Sequence, residues 1–513
     1  MNTHSKIVVI ISIIGLLAIV AWRFIEPVLQ ENRLASVSDI APNGTINIGV
    51  DGWVGYFPLC SPEMNRNLRR DGYGLNCVDD AADYDDRFEK LKRGEYQFAV
   101  ATVDSYLLNG EKHNFPGPII SVIDESKGGD AIVARKSVVP NLEALKTIAN
   151  GRVSLTLDSP SHHLAKAVST HFDIPLFRNS RNISAANGSE EALKQLDAGS
   201  VDMAVLWEPE VSKAMANDEY VRLLGTEDTQ QLIVDILIGS QDSIRNEPEM
   251  VHTLLKAYFS TLKHYRDDTS EFVSDIADHY DIRKSTAEQL LDGVHWATLS
   301  ENAERWYGVD ARSFSEDALV RSIESAAEIL VEHGDFSKSP VPGRDPYRLI
   351  NSTFIKDSSD RFVNAGGFTT ATGGNQKVQL PALTPEQWDT LQEVGSLKNR
   401  EISFSSGTSV LSLADKEQID SLINDLVHYP NFRVEVRGHT GLRGDSDANL
   451  ALSQERADAV VRYVDIAHEL APNRIRAIGF GGTRPLEKRP GESNRAYSYR
   501  LPRVEIALVR EVL

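Results

Sequence analysis

The chain has only two cysteines and five methionines in 513 residues. Two thiols, with no further ligands at zinc spacing, exclude a structural zinc site. An even pair in an exported protein permits one disulfide, Cys60 to Cys77, and two free thiols are the alternative. Cations are also in short supply: 54 Lys and Arg stand against 74 Asp and Glu, a net charge of −20. That excludes the global positive field that holds a nucleic-acid backbone, so no nucleic-acid partner is expected. Beyond the first 25 residues no long apolar run occurs, which excludes a polytopic membrane protein. Nucleotide and hydrolase motifs are missing as well: there is no Walker loop, no Gly-x-Ser-x-Gly and no His-Glu-x-x-His. The glycine-rich stretch 479–482 lacks the Gly-x-Gly-x-x-Gly pattern and runs into Pro485, so it reads as a turn. Neither an enzyme nor a cofactor is expected.

What is present begins with 16 uncharged residues, 7–22, preceded by Lys6 and followed by Arg23. The run is longer than a signal-peptide core and slightly short of an ideal span. Ile19 sits where a cleavage site prefers a small residue. An uncleaved anchor over residues 1–25 is therefore expected, with a cleaved signal as the alternative. Lys6 and the chain amine favour a cytoplasmic N-terminus, an inner-membrane anchor and a periplasmic body.

Short apolar runs at 46–50, 96–101, 131–134, 153–157, 202–206 and 232–238 alternate with helical patterns at 85–93, 163–171 and 190–198. This alternation predicts an α/β architecture with largely parallel sheets. Val251, Leu254, Leu255, Tyr258, Phe259 and Leu262 then make one apolar helical face. Residues 337–343 and 365–374 turn small and polar, a linker composition. The predicted units are a first domain over 44–358, a linker over 359–385 and a compact α+β domain over 386–513. In the last, Ser412 with Asp415 reads as a helix cap, and Phe432, Val434 and Val436 alternate as a half-buried strand. A strand is expected at 402–404 and a second helix from Ser453.

The last 120 residues carry the most specific motifs: Gly438-His439-Thr440, then Asn449, then Leu452-Ser453-Gln454-Glu455-Arg456-Ala457, then Gly479 to Pro485, then Arg503-Val504-Glu505-Ile506. Their order and spacing resemble the OmpA-like peptidoglycan-binding domain, shared with the stator protein MotB and the lipoprotein Pal. The resemblance implies that Thr440, Asn449, Arg456 and Arg503 form a peptidoglycan site, with Arg456 on the diaminopimelate of the stem peptide. A guanidinium fork suits a carboxylate, and a helix start beside it would favour the same anion. Gly441 stands where the family has an aspartate that pairs with the diaminopimelate amine, so weakened or altered wall binding is expected. Asp445 and Asp447 are candidate replacements.

Residues 46–358 resemble the periplasmic substrate-binding proteins of ABC transporters, of the nitrate, sulfonate and thiamine-precursor type. The resemblance lies in Gly52-Trp53-Val54-Gly55-Tyr56, the stretch from Gly94 to Thr102, that from Gly128 to Ala134, and that from Val201 to Pro209. It implies a two-lobed periplasmic-binding-protein fold with ligand held between the lobes at strand ends. Trp53 and Tyr56 would form a wall. Thr102, Ser105, Ser159 and Ser161 would offer hydroxyls beside helix starts, and Trp207 and Glu208 would close a third strand end. Such helix starts suit an anionic or zwitterionic small molecule, taken for transport or sensing with a permease or sensor as partner. A structural cell-wall tether with a degenerate cleft is the alternative. Asp235, inside an apolar run, faces either cleft or solvent. His162 and His163 diverge too far to share a metal, and the acidic run 79–86 reads as a solvated helix start rather than a calcium loop.

Overall fold

The computed structural model describes residues 43–148, 150–309, 317–364, 380–397, 402, 404, 408–468, 470, 473–489 and 491–511. The expected anchor, 1–25, lies outside them. Among the described residues no helix is long and apolar enough to cross a membrane.

The first sheet holds β1 (Thr45–Val50), β2 (Gly74–Asp79), β3 (Phe98–Thr102), β4 (Ile119–Ser126), β10 (Val234–Gly239) and β11 (Val294–Trp296), in the order β11-β4-β10-β3-β1-β2. Between β4 and β10 the chain builds a second sheet from β5 (Asp130–Arg135), β6 (Val153–Leu155), β7 (Ile183–Ala185), β8 (Met203–Trp207) and β9 (Tyr220–Gly225), ordered β7-β6-β8-β5-β9. The chain thus leaves the first sheet after β4 and re-enters it at β10, and those two crossings join two α/β lobes. The crossings also explain why the sheets are mixed rather than largely parallel. β1 runs parallel to β2 and β3, but the returning β10 is antiparallel to both β3 and β4. In the second lobe β5 is likewise antiparallel to β8 and β9.

Apolar residues cover both faces of the first sheet. Ile46, Ile48 and Val100 pack with Leu254, Leu255 and Tyr258 of the helix Pro248–Asp267 on one side. Ala99, Val122 and Ile236 pack with Leu319 and Ile323 of the helix Ala318–Glu332 on the other. Burying a strand on both faces gives the continuous apolar runs seen in the sequence. Cys60 and Cys77 are joined by a disulfide, Cα–Cα 6.0 Å, which ties the turn after β1 to β2.

The C-terminal unit is a four-stranded sheet, β12 (Gln392–Ser396), β13 (Arg433–His439), β14 (Ile475–Gly479) and β15 (Arg503–Arg510), in the order β12-β15-β13-β14. Ser412 and Asp415 form a reciprocal capping box at the helix Leu413–Val427. Ile419, Leu422, Ile423 and Leu426 bury the inner face of that helix. Two expectations are corrected. The edge strand is 392–396, whereas Ile402 and Phe404 carry no strand, Ser403 lying outside the described residues. The second helix is Ser446–Ala467, capped by the Asp445 carboxylate on the Ala448 N–H at 2.9 Å. Its exposed first two turns carry no apolar stripe, so periodicity alone placed its start seven residues late. Residues 359–364 of the expected linker belong to the helix Thr353–Asn364.

The C-terminal unit packs on the second lobe. Tyr429 sits edge-on to Phe172, with ring centroids 5.2 Å apart. The Gln230 N–H, in the second crossing, donates to the His428 carbonyl at 2.7 Å.

Candidate functional sites

Where the lobes meet, four residues form one cross-strand row. Thr102 is the register partner of Asp235, Asp235 of Asp124, and Asp124 of Trp296. Directly opposed residues project from the same face of a sheet. Asp124 and Asp235 are 0% and 2% exposed. The Tyr56 hydroxyl donates to Asp235, and Trp53 Nε1 donates to Asp124 Oδ1 at 3.3 Å. The loop after β1 lies tight over this row. A Cβ on Gly55 would fall 2.2 Å from both Asp124 Oδ2 and Trp53 Nε1, so only glycine fits. The tip of the Trp53 ring reaches the first crossing, where a Cβ on Gly129 would meet it at 2.5 Å.

The row is acidic and lacks cations. Burial pushes the Asp124 carboxyl up to about 7. Burial, and then the charge of Asp124, hold Asp235 well above the usual carboxylate range. Asp130, where the first crossing ends, is also pushed up to about 7 by burial. Glu125, one residue beyond Asp124 and just as buried, behaves oppositely. Burial opposes its ionisation, but Lys127 at 2.9 Å and Arg305 at 3.1 Å more than offset that and lower its pKa. A further buried ion cluster neutralises Asp51 and Asp80 through Arg87, whose Nη2 lies 3.1 Å from Asp51 and also contacts Asp80.

The predicted ligand residues occupy this region with different partners. Thr102 and Ser105 are buried, and their hydroxyls bond each other at 2.8 Å. Ser159 precedes the helix Pro160–Phe172, but its hydroxyl turns back to the Thr156 carbonyl at 2.8 Å. The Ser161 hydroxyl and His163 Nδ1, both buried, have no hydrogen-bond partner. Trp207 is half-buried, with its backbone tied to the Ser189 hydroxyl. The Glu208 carboxylate accepts from the Ser212 N–H at 3.0 Å and hydroxyl at 2.8 Å. Asp235 proves to face inward. Asp124, Asp130 and Asp104 were not singled out from the sequence; their one available signal was an acidic residue at the edge of an apolar run. Among the described residues no cluster of His, Cys, Asp and Glu could hold a metal ion.

At the C-terminal unit, Thr440 follows β13 and its N–H donates to the Gly481 carbonyl at 2.8 Å. Asn449 Nδ2 donates to the Arg443 carbonyl at 3.1 Å and so holds the 441–445 loop onto the helix. Arg456 lies on the same helix in its middle, not in a first turn, so the helix start adds nothing to its anion affinity. Its Nε donates to the Thr408 carbonyl at 3.0 Å and its guanidinium lies 5.1 Å from the Phe404 ring centre. Arg503 is the register partner of His439 and bonds Glu505 at 2.6 Å. A side chain on Gly441 would meet nothing within 4 Å. Asp445 is engaged as the helix cap.

With these sites described, the comparisons define a class for the C-terminal unit: residues 403–498 match the OmpA family. The chain is 35% identical over 101 residues to an outer membrane porin F of Pseudomonas fluorescens, covering 20% of this chain and 31% of that one. It is 25% identical over 136 residues to a peptidoglycan-associated lipoprotein of Buchnera aphidicola, covering 26% of this chain and 76% of that one. The chain spans about a third or less of the length of the first curated relatives it matches. Over the two-lobed unit it is 14% identical to a solved periplasmic aliphatic sulphonate binding protein of Escherichia coli, at a TM-score of 0.45, covering 57% of this chain and 89% of that one. The two-lobed architecture itself rests on the strand order and the two crossings.

Proposed function

We propose that the chain is an envelope protein, anchored in the inner membrane by residues 1–25, whose two-lobed unit (44–358) takes a small molecule while its C-terminal unit (386–513) holds peptidoglycan. What supports this reading above all is one chain that joins an OmpA-family unit to two α/β lobes with buried, unpaired polar groups where they meet. Thr440, Asn449, Arg456 and Arg503 are the proposed wall-binding residues, with the Arg456 fork on the diaminopimelate carboxylate. Trp53, Tyr56, Thr102, Ser105, Ser159, Ser161, Trp207 and Glu208 are the proposed ligand-facing residues. Ligand closes the lobes and is passed to a permease or reported to a sensor. A freely diffusing carrier needs no wall contact, so the fusion favours a fixed station between membrane and wall.

The second reading, a wall tether with a degenerate cleft, draws on one observation: Thr102, Ser105 and Glu208 are satisfied within the protein. Co-sedimentation of the full-length chain with purified sacculi tests the wall half. Arg456→Ala is expected to leave the protein in the supernatant; equal sedimentation of wild type and variant would refute the assigned site. Small molecules retained by the purified protein, identified by mass spectrometry, separate the two readings. A tether retains none.

A further inference from the structure

Resting on the reading of the two-lobed unit as a ligand-binding module, we propose that its ligand is an organic cation, whose positive group sits against Asp124 and Asp235 beside the Trp53 ring. The ledger of buried charge at the lobe junction points there. Two nearby buried carboxylates are paired with cations: Glu125 has Lys127 and Arg305, and Asp80 has Arg87, which also reaches Asp51. Among the described residues Asp124 and Asp235, adjacent in the row and almost wholly buried, form no ion pair with Lys or Arg, and His295, the basic group that acts on Asp124, is bonded to Glu301 at 2.8 Å. Asp124 Oδ2 is buried and accepts no N–H or hydroxyl hydrogen, and the Asp235 carboxyl lies within hydrogen-bonding reach of Asp124. Asp104 repeats the pattern close by, 4% exposed with Oδ1 unpartnered. Leaving one charge of a pair buried and alone is costly, which makes the empty half of the pair a binding opportunity.

Two further observations narrow the class. Among the described residues no three His, Cys, Asp or Glu side chains stand together, so the pair is not part of a larger metal-ligand cluster. Two indoles stand at the pair: Trp53 Nε1 donates to Asp124, and Trp296, the register partner of Asp124, donates Nε1 to the Gly55 carbonyl at 2.8 Å. Indole rings next to carboxylates suit an ammonium carried on carbon. On the second lobe, the unpartnered Ser161 hydroxyl and His163 Nδ1 are left to take a polar group at the ligand's other end.

The test is a thermal melt and a calorimetric titration of the full-length chain with methylammonium or tetramethylammonium chloride, set against sodium ethanesulfonate and sodium nitrate at equal ionic strength. One of the cations is expected to raise Tm and release or absorb heat. Asp124→Asn and Asp235→Asn are expected to weaken that binding at least tenfold. Each asparagine keeps the acceptor used by Trp53 or Tyr56, and the unliganded variants are expected to melt no lower than wild type, which confirms that they fold. A cation effect of equal size in both variants overturns the proposed site. Binding of ethanesulfonate or nitrate instead overturns the cation and leaves the ligand-binding reading standing. No response to either sign overturns both.

Discussion

Gly441→Asp places a carboxylate where the OmpA-like resemblance implies an ion pair with the diaminopimelate amine. The backbone at Gly441 is outside the left-handed region, and a Cβ there meets nothing within 4 Å, so the substitution costs no strain and displaces no neighbour. The neighbouring Asn449–Arg443 bond keeps the loop in place. A charge-assisted contact contributes about 1.5–3 kcal/mol when well shielded, but Gly441 is half-exposed. Solvent screening brings the expected gain to about 1 kcal/mol, or about fivefold in affinity. The assay is co-sedimentation of the full-length chain with diaminopimelate-type sacculi over a protein titration, with Gly441→Asn as the uncharged control. The aspartate is expected to tighten binding about fivefold at low salt, with the gain shrinking as salt rises. An unchanged or weaker affinity, or an equal gain from asparagine, would refute the placement of the amine beside residue 441.

Three other outcomes are expected. Arg456→Lys keeps the charge but not the fork, so sacculus binding should fall by about tenfold, as for loss of a bidentate contact; retention by the lysine variant would reduce Arg456 to a point charge. Asp124 and Asp130 hold their protons more tightly when folded, so their contribution is complete below about pH 4 and is lost as pH rises through about 7. Asp124 is faced by Asp235, Asp130 and His295, and Asp130 by Asp104 and Glu208. The unliganded chain should therefore melt higher at pH 5 than at pH 8, and Asp124→Asn should flatten the difference; a melt that rises toward pH 8 contradicts the buried acidic row. Replacing Cys60 and Cys77 by serine should cost about 3 kcal/mol in urea unfolding, from the 17-residue loop they close; no loss would mean that the loop is ordered without the bond.

The sequence made the main alternation of strands and helices legible because doubly buried strands write themselves as apolar runs. Gly74–Asp79 and Tyr220–Gly225 escaped because polar residues interrupt them, at the outer edges of their sheets, and Ile119–Ser126 escaped although it is buried throughout, because its apolar run is only five residues long before Asp124. Gln392–Ser396 escaped for the same reason, with a glycine inside an edge strand. Local signals were reliable where two residues answer each other, as with Ser412 and Asp415. The helix at Ser446 shows the opposite case, since its cap is a lone aspartate and its first turns face water. The acidic row was hidden for a different reason. Asp124 and Asp235 are 111 residues apart, and only the antiparallel return of β10 beside β4 brings them together. Thr102 lies in the acidic row and the Glu208 N–H bonds the Gly129 carbonyl of the first crossing, but sequence does not reveal that their side-chain polar atoms are taken up by Ser105 and Ser212.

The central claim, one chain that holds the wall and a small molecule together, is tested by sedimenting the ligand-loaded full-length protein with sacculi and analysing the washed pellet by mass spectrometry. The account predicts protein in the pellet with about one small molecule per chain, and loss of both from the pellet in Arg456→Ala. Protein that pellets without any retained small molecule, or that stays in the supernatant with its ligand, would contradict it.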